Sequence, residues 1–249
     1  MRANDVYFIT EHQDVSRNKG VKFLMSSPTV WIPGALLILS MASHAAATET
    51  APPSQFLHQS IPVLGMTLDK ARQPAGIVTY VMIHFHQRSD HDGLKVHFRK
   101  IPGRFGPIAR KAVATAIDRV ARSANLQDDS WTVVLTFPYS GLTLYGDSLS
   151  AMVALSVLAL AKNEAIVYGR TLTGRITEDG HIGKVAGIPY KIYAAYSERL
   201  DRVLIPEEQD PSDGDWRTPF LMHVSHVGTL EKAYRGLTGR ALFPKKSLK

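Results

Sequence analysis

The 249-residue chain contains no cysteine. That excludes a disulfide framework, a thiolate metal site and a cysteine nucleophile, and leaves stability to an ordinary apolar core. A phosphate loop of the GxxxxGK[ST] form is also missing, since Gly180 to Lys184 has the wrong spacing and no hydroxyl follows the lysine. There is no HExxH pair and no internal repeat. Charge of one sign is only in mild excess: the 4 basic and 3 acidic side chains of residues 1–47 leave 25 against 19 in the rest, a net of +6. This excess is dispersed, and no aromatic platform stands beside the basic end Lys245 to Lys249, so nucleic acid is not an expected partner. The apolar run Val30 to Met41 is interrupted by Pro33-Gly34 and falls short of the roughly 20 residues that a membrane-spanning helix needs.

That run has another use. Lys19 and Lys22 precede it and Ala42-Ser43-His44-Ala45-Ala46-Ala47 follows, the order of a signal peptide with its cleavage site. The expected organisation is a leader over residues 1–47, a linker over 48–59, one domain over 60–240 and a basic tail over 241–249. The expected location is the periplasm or the exterior, with membrane attachment only if the leader stays uncleaved. The 45% apolar content is ordinary for a globular core.

Ile61 to Leu68 and Gly76 to Phe85 read as strands. Asp90-His91-Asp92-Gly93 supplies turn residues, and Leu94 to Arg99 alternates apolar and polar positions, which predicts a strand pairing back as a hairpin. From Ile108, Val113, Ala116, Ile117, Val120 and Ala121 recur at helical spacing. Trp131 to Phe137 suggests a strand buried on both faces. Leu149 to Ala161 is apolar nearly all round, the mark of a helix inside the domain. Glu178-Asp179-Gly180 sits between two short strands as a second hairpin signal, and Pro189 suits the first turn of a helix running to about Glu198. Arg202 to Ile205 and Phe220 to Val224 are expected strands, and Thr229 to Leu237 is an expected last helix. The class is α+β.

Two residues in this pattern carry chemistry. Gly146-Asp147-Ser148 stands at the mouth of the apolar helix, where Ser and Asp ordinarily cap free N–H groups. In a buried helix the same place would also put Ser148 near N–H groups able to stabilise an oxyanion. Ser150 faces another direction and is the weaker nucleophile candidate. Lys191 lies on the stripe of Ile188, Ile192 and Ala195. A lysine there either snorkels to water or is a desolvated amine able to act as a base for a serine. His84 and His86 share a strand face that His91, His97, His223 and His226 could join, but no metal-ligand spacing appears, and no metal or other cofactor is expected.

Thr171 to Ile176, Gly180 to Ala195 and Val203 to Pro206 together resemble the proteolytic domain of Lon proteases. The resemblance follows element order over roughly residues 60–237 and is specific from Gly146 to Pro206. It implies a single α+β domain of the Lon proteolytic type (ribosomal S5 domain 2-like), with hairpins and about four helices. It further implies a Ser-Lys dyad, with Ser148 as nucleophile in Gly-Asp-Ser, Lys191 as base and Thr173 in support of the lysine. Three positions depart from the family pattern: Arg175 replaces an acid, Tyr145 replaces the acid that often precedes Gly-Asp-Ser, and Ala186 replaces the first glycine ahead of the lysine helix. Lon enzymes also carry an ATPase ring, for which this chain has neither a phosphate loop nor room. The resemblance therefore implies an ATP-independent peptidase acting on flexible or unfolded polypeptide. The rival from another class is a catalytically silent Lon-like binding or scaffold domain.

Overall fold

The computed structural model describes residues 56–243; the expected leader, most of the expected linker and residues 244–249 of the basic tail lie outside them. In chain order the elements are β1 (Phe56–Leu68), β2 (Pro74–Gln87), β3 (Lys95–Phe98), β4 (Arg104–Phe105), α1 (Pro107–Ser123), β5 (Trp131–Thr136), β6 (Thr143–Leu144) and α2 (Ser150–Ala161). There follow β7 (Arg170–Leu172), β8 (Arg175–Ile176), β9 (Ile182–Gly183), α3 (Ile188–Ser197), β10 (Arg202–Pro206), a 3-10 turn (Pro211–Asp213), β11 (His223–Val227) and α4 (Leu230–Thr238). This is the expected single α+β domain, with four helices among the described residues. Residues 56–59, assigned to a linker by composition, belong to β1.

The main sheet has the order β1-β2-β5-β3. β1 and β2 pair antiparallel from Phe56↔His86 to Leu68↔Pro74. Their turn is held by Asp69, whose Oδ1 accepts from the N–H of Ala71 and of Gln73, both at 2.8 Å. The hairpin expected between Gly76–Phe85 and Leu94–Arg99 does not form as a direct pair. β3 does run back against β2, but β5 occupies the place between them, antiparallel to β2 and parallel to β3. Arg88 fastens the loop to the inserted strand. Its guanidinium donates to Asp90 Oδ1, Thr132 Oγ1 and the carbonyls of Gly93, Asp129 and Trp131. Turn residues and alternation are local signals, whereas the inserted strand arrives from more than thirty residues away in sequence.

β5 also differs from expectation. Trp131, Val133 and Leu135 are buried while Thr132, Val134 and Thr136 are half-buried, so one face of the sheet is covered and the other is open. The covered face packs Ile61, Val63, Val81 and Ile83 against α1 and α2. α2 is buried from Ser150 to Leu160, which matches its lack of a polar face. Each aliphatic side chain fully withdrawn from water there contributes about 1.5–3 kcal/mol. Leu64 points the opposite way from Val63 by strand alternation and joins a second cluster with Ile188, Ile192 and Ala195 of α3 and Val203 and Ile205 of β10. The β1–β2 ribbon thus separates two cores.

The second sheet is parallel, in the order β11-β10-β7. Its last strand lies later than the expected Phe220–Val224. Phe220 and Leu221 are exposed, Leu221 takes a positive φ of 73°, and pairing runs from Arg202↔His223 to Pro206↔Val227. Backbone pairing with β10, rather than apolar content, sets that register. β8 and β9 form the expected second hairpin, with Ile176 opposite Ile182. Among the described residues no helix is long and apolar enough to cross a membrane.

α3 rests directly on β2 at Gly76, where an added Cβ would lie 1.9 Å from the backbone oxygen of Tyr190. Such an overlap cannot be relieved by a side-chain rotation, so the helix must move. Gly76→Ala is expected to lower stability by about 1–3 kcal/mol, read as a shift of the urea unfolding midpoint. An unchanged midpoint would contradict this close seating of α3.

Candidate active site

Gly146, at φ 81°, turns the chain into the entry of α2. The helix begins at Ser150 with Leu149 in the capping position, and Leu149 makes no side-chain cap. Ser148 therefore precedes the cap by one residue, and it is only 1% exposed. The Ser148 carbonyl accepts from the Gly174 N–H at 2.9 Å, and the Gly174 carbonyl accepts from the Ala151 N–H at 3.2 Å. These two bonds clamp the entry of α2 to the segment Thr173-Gly174. Ser150, the weaker candidate, is also buried, in the first turn of the helix.

Thr173 is 1% exposed, and its N–H donates to the Leu204 carbonyl of β10 at 3.1 Å. Its Oγ1 is buried and has no hydrogen-bond partner among the described residues. An unsatisfied buried hydroxyl is uncommon and costs on the order of 1–3 kcal/mol.

Lys191 is 0% exposed, which removes the snorkelling alternative. Its Nζ donates to the Ala186 carbonyl at 2.8 Å. Because the lysine uses the backbone oxygen of residue 186, an alanine serves there as well as the glycine of the Lon pattern. The turn before α3 is tightly specified. Gly187 has φ 77°, and a Cβ there would fall 1.9 Å from Met66 Sδ. Gly187 offers no side chain to cap the helix, and the Asp213 carboxylate does so from another loop, accepting from the N–H groups of Gly187 (2.6 Å) and Ile188 (3.0 Å).

β10 is the common support of these segments. Leu204 accepts the Thr173 N–H on one side, while Val203 and Ile205 pack with Ile188 and Ile192, which flank Lys191 on the helix. The histidines do not converge in this way. The rings of His58 and His84 stack with centroids 6.0 Å apart, His91 pairs with Asp129 at 2.9 Å, and His223 and His226 belong to the other sheet. Among the described residues no group of three or more His, Asp or Glu side chains could hold a metal ion.

Sequence reasoning missed Asp213. It lies in a polar loop with several other acids, and only the folded chain brings it to the start of α3. An uncapped helix beginning Gly-Ile-Pro was the one available signal that a cap had to come from elsewhere.

No protein-family model matches the chain. Among curated proteins, it is 26% identical over 131 residues to an archaeal Lon protease of Thermoplasma acidophilum, covering 52% of this chain and 19% of that protein. It is 25% identical over 129 residues to an archaeal Lon protease of Archaeoglobus fulgidus, covering 52% and 20%. To Lon protease 2 of Hydrogenovibrio crunogenus it is 26% identical over 115 residues, covering 44% and 13%. These partial similarities support a Lon-like relationship over about half of the chain, which itself spans a fifth or less of the length of those relatives.

Asp213→Ala is expected to cost about 1 kcal/mol of stability by uncapping α3, with faster hydrogen exchange at the Gly187 and Ile188 amides. Asp213→Asn should restore part of that protection. Unchanged exchange in the alanine variant would show that the carboxylate does not hold the turn.

Proposed function

We propose that the protein is an exported, ATP-independent serine peptidase that hydrolyses peptide bonds in flexible or unfolded polypeptides with a Ser148-Lys191 dyad. The observation that carries this reading is the complete burial of Lys191 on α3. Burial disfavours the charged ammonium and draws a lysine toward the neutral form that can accept a proton. The partial similarity to Lon proteases supports the same reading.

Ser148 Oγ attacks the scissile carbonyl while Lys191 takes its proton. The C–N bond then breaks, the leaving amine receives that proton, and an ester to Ser148 is left. Water, deprotonated in turn by Lys191, cleaves the ester and restores the serine. The tetrahedral oxyanion of each step is stabilised by backbone N–H groups ahead of α2. The amides of Ser150 and Ala151 already donate to the carbonyls of Asp147 and Gly174, so these donors come from Leu149 or earlier residues. Thr173 steadies the amine during transfer, the role that the Lon resemblance gives it, and its buried hydroxyl, without a hydrogen-bond partner among the described residues, is free to do so. Substrate binds extended along a strand edge.

Ser148→Ala and Lys191→Ala should each lower cleavage of an unfolded protein substrate by about 1,000-fold or more. Lys191→Arg should be equally inactive, because a guanidinium keeps the charge but cannot accept the proton. Activity persisting in Ser148→Ala or Lys191→Ala would rule out the dyad. A fluorophosphonate probe should label the wild type at Ser148, whereas a silent scaffold domain would not react. Export is read separately, by N-terminal sequencing of material recovered outside the cytoplasm.

A further inference from the structure

Arg175 follows Gly174 directly, and the Gly174 N–H is bonded to the Ser148 carbonyl at 2.9 Å. One peptide unit therefore separates this arginine from the backbone contact of the candidate nucleophile. It is exposed, and its guanidinium enters no ion pair or hydrogen bond among the described residues. Its stem lies across β9, since a Cβ on Gly183 would meet Arg175 Cγ at 3.1 Å and Nε at 3.2 Å. The bare glycine leaves the path that the arginine occupies.

Glu178 and Asp179, close to it in sequence, and Glu208, beside Lys184, are engaged elsewhere. Glu178 pairs with Arg119 at 3.6 Å, Asp179 with His181 at 3.0 Å and Glu208 with Lys184 at 2.7 Å. The Glu208 carboxylate holds the Lys184 ammonium above the ordinary lysine range, against an opposing push from Arg175. Lys184 is thus compensated and Arg175 is not. The result is an exposed, planar cation on the residue that follows the Gly174 backbone contact to Ser148, of a shape that takes a carboxylate through two parallel N–H donors.

We propose that Arg175 is a specificity-determining residue that selects polypeptides carrying an Asp or Glu side chain near the scissile bond. This inference rests on the Ser148-Lys191 reading for turnover, but the binding that it describes does not require turnover. The Lon resemblance places an acid at this position, so the arginine would select a different substrate class. Asp147, half-buried beside Ser148, enters none of the pairs above and is the competing charge.

The test compares three internally quenched peptides that differ only in Glu, Gln or Lys next to the cleaved bond. Wild type should favour Glu over Lys by about fivefold to tenfold in kcat/KM, mostly through KM, with the preference fading as salt is added. Arg175→Gln should flatten the preference and Arg175→Glu should turn it toward Lys. In parallel, the Ser148→Ala protein is titrated with fluorescein-labelled Glu and Lys peptides by anisotropy. Tighter binding of the Glu peptide, lost in Ser148→Ala/Arg175→Glu, upholds the proposal even if wild type cleaves nothing, in which case only the dyad reading falls. Cleavage without acidic preference, a preference untouched by Arg175→Glu, or absence of both cleavage and selective binding overturns it. A preference for Lys would assign selection to Asp147.

Discussion

Burying a lysine amine away from water costs several kcal/mol, and a protein retains such a group only where its surroundings are built to hold it. In this domain the surroundings of Lys191 come from segments far apart in the chain. Ala186 supplies a carbonyl to the amine, Asp213 caps the helix that carries it, Gly187 makes the turn before that helix, and Gly76 lets the helix close on β2. None of these contributions is interchangeable with another. An added Cβ at Gly187 meets Met66 and one at Gly76 meets a backbone oxygen, so neither position accepts a side chain unless its surroundings move.

The serine is held by a different principle. Its helix is apolar on every side and is surrounded by the main core, so α2 is fixed by packing rather than by caps or surface charge. Two backbone hydrogen bonds to Gly174 then register the entry turn against the segment that carries Thr173. The β1–β2 ribbon has one core on each face, α2 lying on one and α3 on the other. β10 and the segment leading to β8 connect the two sides. Burial of both side chains follows from this two-sided arrangement, and so does the exclusion of water that a neutral amine and an oxyanion contact would both require.

Where sequence reasoning succeeded and where it failed follows the range of the interaction involved. α1, α2, α3 and the β8–β9 hairpin were legible because their signals lie within a few residues: helical periodicity, an all-apolar run, Pro189 in the first turn and Glu178-Asp179-Gly180 between short strands. The place of β3 was not legible, since alternation shows that a segment is a strand but not which strand it joins. β11 was set too early for a related reason. Phe220 and Leu221 are large apolar residues left exposed, while the less apolar His223–Val227 is chosen by the open edge of β10.

The candidate site divides along the same line. By itself the sequence determined which groups were available: a serine at the mouth of a buried helix, a lysine on an apolar stripe, no cysteine, and an arginine where the Lon resemblance has an acid. It could not decide between a snorkelling lysine and a buried one, because a long side chain on an apolar stripe can take either course. The tertiary structure decided that question, along with the cap from Asp213, since solvent access to an amine depends on elements that approach from elsewhere in the chain. Local spacing fixes a side chain's direction on its own helix, and only packing fixes what lies in front of it.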